Sequence, residues 1–210
     1  MAGLTERLDG ARVRDNLARI REEIARDDVE VLAAVKYVPL AALGVLVEAG
    51  VTLVGENRAQ ELERKSRAFP GLTWDFIGHV QSRKVKQILP HVRLIHSVAS
   101  DSVLRQLARH ATPATEVLVE VNVAREPGKS GIDPAELDAF LERCPCRVGG
   151  LMTMPPETSD PEGSRPWFAE LARLAGERGL RRLSMGTSQD YVVAAQEGAT
   201  IVRIGTKLYG

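Results

Sequence analysis

Eight short runs rich in Val, Ile and Leu recur along the chain, and this repetition constrains the fold more than any other feature. They are Val31–Val35, Val51–Val54, Thr73–Ile77, Val92–Ile95, Glu116–Asn122, Arg147–Met152, Arg181–Ser184 and Thr200–Ile204. The segments between them place apolar residues at helical spacing, as in Leu40, Leu43, Leu46 and Val47, or Phe168, Leu171, Leu174 and Ala175. Strands alternating with helices imply parallel strands joined by crossovers, in either an open doubly wound sheet or a closed barrel. The two ends favour the barrel. Leu4, Leu8, Val13, Leu17, Ile20 and Ile24 form an apolar stripe on a helix ahead of the first strand. The chain stops at Tyr209-Gly210, directly after the last strand, which leaves no room for an eighth helix. The leading helix can fill that outer position only where the two ends meet. The expected fold is therefore α/β, a (β/α)8 TIM barrel with an extra N-terminal helix. At 210 residues it is short for a fold that usually takes about 250.

No linker rich in Ser, Gly or Pro interrupts the series, so residues 1–210 are expected to form a single domain. The stretch from Met154 to Arg165, rich in Pro, Gly and polar residues, is the segment expected to be most flexible. Lys+Arg and Asp+Glu balance at 28 each, which gives no excess charge to attract nucleic acid or an anionic membrane. Met1 to Gly10 lacks the apolar core of a signal peptide, and Val38 to Val47 is too short to span a bilayer. A cytoplasmic location is expected. Cys144 and Cys146, around Pro145, match neither a redox Cys-x-x-Cys nor a zinc knuckle, so they read as small thiols in a reducing compartment. A monomer is expected, because no apolar helix face stands unassigned.

In a parallel barrel, chemistry sits at the C-terminal ends of the strands. Lys36 directly follows the first apolar run, which puts its stem in an apolar wall and its amine at the barrel mouth. A desolvated, neutral lysine attacks aldehydes to give a Schiff base. Position alone leaves open the plainer reading of Lys36 as the polar end of a strand. Ser184-Met-Gly-Thr-Ser188 follows the seventh run, with Gly186 allowing a tight turn and Ser188 placed to cap a helix starting near Asp190. Arg203-Ile-Gly-Thr206 ends the eighth, where Gly205 permits close backbone approach and Thr206 offers a hydroxyl. Loops after strands seven and eight form the recurrent phosphate site of such barrels. A lysine facing a phosphate cradle points to an aldehyde-bearing phosphate, for which pyridoxal 5′-phosphate is the obvious candidate.

Further pieces stand in order along nearly the whole chain. They are Ala34-Val-Lys-Tyr-Val-Pro39, Gly55-Glu-Asn-Arg-Ala-Gln-Glu61, Phe76-Ile-Gly-His-Val-Gln-Ser82 with Lys84, and Ile95-His-Ser-Val98. Val121-Asn122, Lys129-Ser-Gly-Ile132, Gly150-Leu-Met-Thr-Met154, Leu183-Ser-Met-Gly-Thr-Ser188 with Asp190, and Val202-Arg-Ile-Gly-Thr206 follow. In combination they resemble the pyridoxal phosphate homeostasis protein family, whose barrel is like the N-terminal domain of alanine racemase. The resemblance implies that Lys36 carries pyridoxal 5′-phosphate as a Schiff base and that Ser188, Gly205 and Thr206 help hold its phosphate. It also implies that Arg203 faces the pyridine nitrogen and that Asn57 lies beside the cofactor. An arginine partner, unlike a carboxylate, leaves the ring a weaker electron sink. Two positions depart from the family pattern: Thr187 stands where Met is usual, and Arg83 where Asn is frequent.

The resemblance implies a carrier that buffers the cofactor or delivers it to apo-enzymes. The alternative is a cofactor-dependent racemase or decarboxylase with a minimal barrel. Racemisation needs proton donors and acceptors on both faces of the cofactor. The end at Gly210 leaves out the second domain that supplies one of them in alanine racemase, and Tyr37, Tyr191 and Tyr209 sit in no motif that would replace it. A carrier without catalytic activity is expected. A sugar-phosphate enzyme would need paired strand-end carboxylates, and Glu56 alone has a good claim. His79 reads either as a cofactor contact or as a loop anchor, and His96 as a strand-end anchor. Trp74 and Trp167 read as packing residues, while Lys65 and the other lysines fall in polar or helical surroundings. Lys129-Ser130-Gly131 reads as a solvated loop that could close over the pocket, and Arg181-Arg182 as exposed charge.

Overall fold

The computed structural model describes residues 8–210; Leu4 of the expected helix stripe lies outside them. Eight parallel strands close in sequence order into a barrel. They are β1 (Glu30–Ala34), β2 (Leu53–Glu56), β3 (Thr73–Phe76), β4 (Leu94–Val98), β5 (Glu116–Glu120), β6 (Arg147–Met152), β7 (Arg182–Ser184) and β8 (Ile201–Ile204). Closure comes from β1 pairing with β8, with Val31 opposite Val202 and Ala33 opposite Ile204. All eight expected strands are present. β2 and β4 run two and three residues past their apolar runs, because the hydrogen-bond ladder continues through polar residues such as Glu56, which pairs with Phe76. β1 instead lies one residue earlier than its run, and β3 and β5 end one and two residues short of theirs.

The outer layer consists of α1 (Gly10–Ile24), α2 (Leu43–Glu48), α3 (Ala59–Ala68), α4 (Val85–Ile88), α5 (Asp101–His110), α6 (Leu137–Glu142), α7 (Arg165–Gly176), α8 (Tyr191–Gln196) and α9 (Thr206–Tyr209). Asp9 caps α1 by accepting from the amides of Ala11 and Arg12, and Ala25 ends it in the left-handed region at φ 52°. Val13, Leu17, Ile20 and Ile24 bury the apolar stripe of α1, which lies against α8, α9 and α2. This is the outer position that strand counting left vacant. The expectation of no helix after β8 is corrected: α9 forms a single turn there, since four residues suffice for one. Asn16 fastens this junction, its Nδ2 donating to the carbonyls of Leu208 (3.1 Å) and Gly210 (3.0 Å).

Two apolar cores result. The larger lies between strands and helices and holds Val54, Leu62, Ile95, Leu107, Leu171 and Val202, with Trp74 buried in it and Trp167 packed on it. The smaller fills the barrel with Leu32, Leu53, Leu94, Leu118, Met152 and Ile201. Alternation along each strand then sends the following inward positions toward the barrel mouth. Ala34 and Lys36 continue from Leu32, Glu120 from Leu118, and Arg203 from Ile201. The opposite mouth is closed by ion pairs: Arg182 to Glu116 (2.8 Å) and Glu30 (3.6 Å), and Arg93 to Glu30 (2.5 Å). Arg182 is thus half-buried and paired rather than freely exposed, while Arg181 is exposed.

Candidate functional site

At the C-terminal mouth of the barrel lies a cavity of about 390 Å³. Of the expected site residues, Lys36, Asn57, Arg203, Gly205 and Thr206 line it. Lys36 is half-buried, with Nζ 4.9 Å from the centroid of the Tyr37 ring. Its backbone carbonyl accepts from Arg58 Nη2 at 2.7 Å, which ties the β1 loop to the β2 loop.

Ser188 does not cap α8, contrary to expectation. The turn after β7 is closed instead by Asp190, whose Oδ1 accepts from the Thr187 amide (2.7 Å) and hydroxyl (3.1 Å) and whose Oδ2 accepts from Ser164 (2.9 Å). This frees Ser188 to reach the end of β8, where its Oγ accepts from the amides of Gly205 (3.1 Å) and Lys207 (3.3 Å). The two amides converge on one oxygen, the arrangement a phosphate oxygen would require. A Cβ added at Gly205 would meet only the Ala34 Cβ, at 3.9 Å, so the space over this glycine opens into the cavity. At Gly78, by contrast, a Cβ would lie 2.2 Å from the Asn57 carbonyl oxygen, so the β3 loop packs backbone-on-backbone against the Asn57 loop.

Arg203 is 6% exposed. Its Nη1 donates to Ser184 Oγ at 2.6 Å, and its Nη2 to the Thr153 carbonyl and Met154 Sδ, both at 2.9 Å. Burial lowers its pKa to about 10, opposed by the Glu120 and Asp190 carboxylates, so it remains a cation and a pure donor at neutral pH. Behind it runs a buried polar chain. Ser184 Oγ lies 2.8 Å from His96 Nδ1, and His96 Nε2 lies 3.1 Å from Asp75 Oδ2. Arg93 holds both Asp75 oxygens, at 3.0 and 2.7 Å. Burial alone would push Asp75 up, but the bonds from His96 and Arg93 hold it below the usual carboxylate range. Burial keeps the His96 pKa below its ordinary value, against the pull of Asp75. An ionised Asp75 takes the proton of Nε2, which leaves Nδ1 to accept from Ser184 and the Ser184 oxygen to accept from Arg203. His96 is therefore a barrel-interior residue, not a strand-end anchor, because the inward face of β4 carries it beside Leu94.

Two residues of the site escaped sequence reasoning. Lys65, placed above in polar or helical surroundings, is on α3 but only 1% exposed. Its Nζ is 2.6 Å from Glu56 Oε2 and 2.7 Å from the Val35 carbonyl. Glu56 Oε1 meanwhile accepts from the amides of Asn57 (2.7 Å) and Arg58 (3.1 Å). This ion pair fixes the residues directly before Lys36 and Asn57, and it removes Glu56 as a free strand-end carboxylate. The nine-residue separation of Glu56 and Lys65 spans a strand end and a helix, so no local periodicity marks it. Glu120, also buried, lines the cavity and accepts from Ser130 Oγ at 2.5 Å. That bond carries part of the Lys129-Ser130-Gly131 loop to the rim, while Lys129 stays solvated. Tyr37 and Tyr209 line the cavity as well, and the Tyr209 hydroxyl donates to the Ala34 carbonyl at 3.1 Å. His79 is exposed on the rim and hydrogen-bonds to no other described residue.

The closed parallel barrel, with a lysine, an arginine and a pair of converging amides at one mouth, defines a class. The profile of the family described as "Alanine racemase, N-terminal domain" matches residues 8–210. The pyridoxal phosphate homeostasis protein of Aquifex aeolicus is 38% identical over 95% of this chain and 95% of its own length. That of Escherichia coli K12 is 33% identical over 93% and 94%. The chain belongs to the pyridoxal phosphate homeostasis protein family. Among solved structures, Synechococcus elongatus PipY described as having PLP bound superposes with a TM-score of 0.81 at 32% identity, covering 94% of this chain and 100% of that one. The lysine/ornithine decarboxylase of Vibrio vulnificus has a TM-score of 0.74 at 14% identity and shares the fold alone, this chain matching 62% of its length.

Proposed function

We propose that this chain binds pyridoxal 5′-phosphate at the barrel mouth, holds it covalently through Lys36, and serves as a non-catalytic carrier that buffers the cofactor or passes it to apo-enzymes. The observation that carries the reading is that Lys36, Asn57, Arg203, Gly205 and Thr206 line one cavity at the barrel mouth, with Ser188 outside its lining and bonded to the Gly205 and Lys207 amides. A relative described with PLP bound, at 32% identity, supports the choice of ligand. When bound, the cofactor supplies an aldehyde that a lysine amine can hold by a reversible covalent bond.

The residues present fit that group. Lys36 Nζ supplies the nucleophile, and Asn57, beside it on the β2 loop, supplies a polar side chain for the ring substituents. The Ser188 and Thr206 hydroxyls and the backbone at Gly205 would hold the phosphate oxygens, and the missing Cβ of Gly205 leaves room for them. Arg203 would offer the ring nitrogen a donor, which would disfavour protonation there. Thr187 keeps the phosphate turn closed through its bonds to Asp190, so the usual Met is not needed for that geometry. No contact of Arg83 reaches the cavity among the described residues; it bonds to Gln81.

The pocket's own chemistry supports a carrier over an enzyme. The Tyr209 hydroxyl is committed to a backbone carbonyl, and Tyr37 lies beside Lys36 rather than across from it. Residues 1–210 are taken to act as one unit. No helix among the described residues is long and apolar enough to cross a membrane.

The test is direct. Protein loaded with pyridoxal 5′-phosphate and reduced with borohydride should carry the cofactor on the peptide containing Lys36, and Lys36→Ala should lose both the fixation and the visible band. Retention of the same band by Lys36→Ala would falsify the assignment. Incubation of loaded protein with L- and D-amino acids should at most release cofactor stoichiometrically; many turnovers per site would overturn the carrier reading.

A further inference from the structure

The chain's two cysteines lie at the opposite end of the barrel from the cavity, in the connection from α6 to β6, with only Pro145 between them. Their sulfur atoms are 4.0 Å apart, close to van der Waals contact. The Cys144 amide donates to the Leu141 carbonyl at 3.1 Å as α6 ends, and Cys146 leads directly into β6. This places a fixed helix end and a fixed strand start on either side of an exposed proline. Both side chains are half-buried against the outer apolar core, yet remain within reach of a small reagent. The flanking arginines are engaged elsewhere: Arg143 with the Ala139 carbonyl and Asp101, Arg147 toward Glu116. Each sulfur's polar neighbour is the other sulfur.

We infer that Cys144 and Cys146 form a dithiol modification site that exchanges with low-molecular-weight disulfides and closes reversibly into an intrachain disulfide. The geometry permits it. Residues two apart along an extended or turning chain have Cα atoms roughly 5 to 7 Å apart, within the disulfide range of roughly 4.4 to 6.8 Å. The sulfurs need to approach by about 2 Å, which side-chain rotation supplies. Either S–H can donate to the other sulfur, and that bond favours a thiolate at its acceptor. The thiolate attacks, and the remaining thiol resolves.

Two exchange steps balance the chemistry. One cysteine, as thiolate, attacks one sulfur of the small disulfide, forming a mixed disulfide and expelling one thiolate. The other cysteine, losing its proton to solvent, then attacks the protein sulfur of that mixed disulfide and expels the second thiolate. The protein loses two hydrogens and two electrons, and the small disulfide is reduced to two thiols. A ring this small constrains the unfolded chain little, so the bond adds little stability and remains easily reduced. This site owes nothing to the cofactor reading, since both steps take place away from Lys36.

The test uses the full chain, glutathione disulfide as the probe, and intact-mass and free-thiol measurements at pH 7. Wild type should lose both titratable thiols and two hydrogens in mass, with no retained glutathione, and reduced glutathione should reverse the change. Cys146→Ser should accumulate one glutathione adduct. Cys144→Ser should do the same, because a single remaining thiol stops at the mixed disulfide. Serine replaces cysteine at half-buried positions, and circular dichroism confirms folding; Cys→Ala variants serve if either serine variant does not fold. A wild type that keeps its glutathione, forms disulfide-linked dimers or leaves both thiols free overturns the inference.

Discussion

Lys65 Nζ sits 2.6 Å from Glu56 Oε2 in an ion pair that water does not reach, the two side chains being 1% and 0% exposed. Each partner also grips backbone: Lys65 holds the Val35 carbonyl, and Glu56 holds the amides of Asn57 and Arg58. The pair therefore joins the ends of β1 and β2 at the positions from which Lys36 and Asn57 project.

Removing one partner leaves the other as a buried, uncompensated charge. Lys65→Met should destabilise the protein by about 3–5 kcal/mol, whereas the double variant Lys65→Met/Glu56→Leu should recover part of that loss. Urea unfolding of wild type and both variants checks this. A single variant within experimental error of wild type would show that the pair does not organise the loops.

The chain from Arg203 through Ser184, His96 and Asp75 to Arg93 gives stability a defined pH dependence. His96 has a depressed pKa in the folded protein, so below its unfolded value of about 6.5 the unfolded chain binds a proton that the folded one refuses. Stability should fall as pH drops below that point, by at most about 1.4 kcal/mol per pH unit from this residue. Asp75 works in the same direction at lower pH, its stabilisation being lost as pH falls through its depressed folded value. His96→Asn should flatten the upper part of this slope. Unfolding free energies between pH 7 and pH 5 measure the difference; parallel slopes in wild type and variant would argue against a neutral, buried His96.

The two cavity glycines should respond oppositely to alanine. At Gly205 the added methyl has room, so Gly205→Ala should fold with a stability within about 1 kcal/mol of wild type. It should nevertheless lose at least about tenfold in affinity for pyridoxal 5′-phosphate, because the methyl occupies the phosphate's space. Gly78→Ala forces a carbon against the Asn57 carbonyl and should destabilise by about 1–3 kcal/mol. Cofactor titration and thermal unfolding separate the two effects. Unchanged affinity in Gly205→Ala would move the phosphate elsewhere.

Asn16 secures the barrel seam. Asn16→Ala leaves the Leu208 and Gly210 carbonyls without its amide and should cost about 1–2 kcal/mol, seen as a lower Tm. Hydrogen exchange at the α9 amides should rise in the same variant; unchanged protection there would place the seam's strength in apolar contacts alone.

Much of the fold could be read directly from the residues. Each strand of a parallel barrel is buried on both faces, so it appears as a compact apolar run, and eight such runs gave strand number and order. The place of Lys36 directly after the first apolar run put that lysine at the barrel mouth, and the family-like motifs singled out Arg203, Gly205 and Ser188. Strand ends were less legible, since the backbone ladder continues past the apolar run in β2 and β4 and stops short of it in β3 and β5.

Tertiary structure alone decided what lies between those residues. Ser188 seemed a helix cap because local chemistry favours serine there, but closure of the barrel brought β8 within its reach and left the β7 turn to Asp190. Lys65 looked like any helical lysine until the curvature of the sheet carried Glu56 beneath it. His96 and Asp75 gave no periodic signal, because they meet Ser184 and Arg203 only across the barrel's interior. The sequence by itself determined which segments become strands and helices, and which mouth of the barrel holds the chemistry, because those depend on local spacing and alternation. The partners of the buried charges depended on distances between residues far apart in the chain, and only closing the barrel sets those distances.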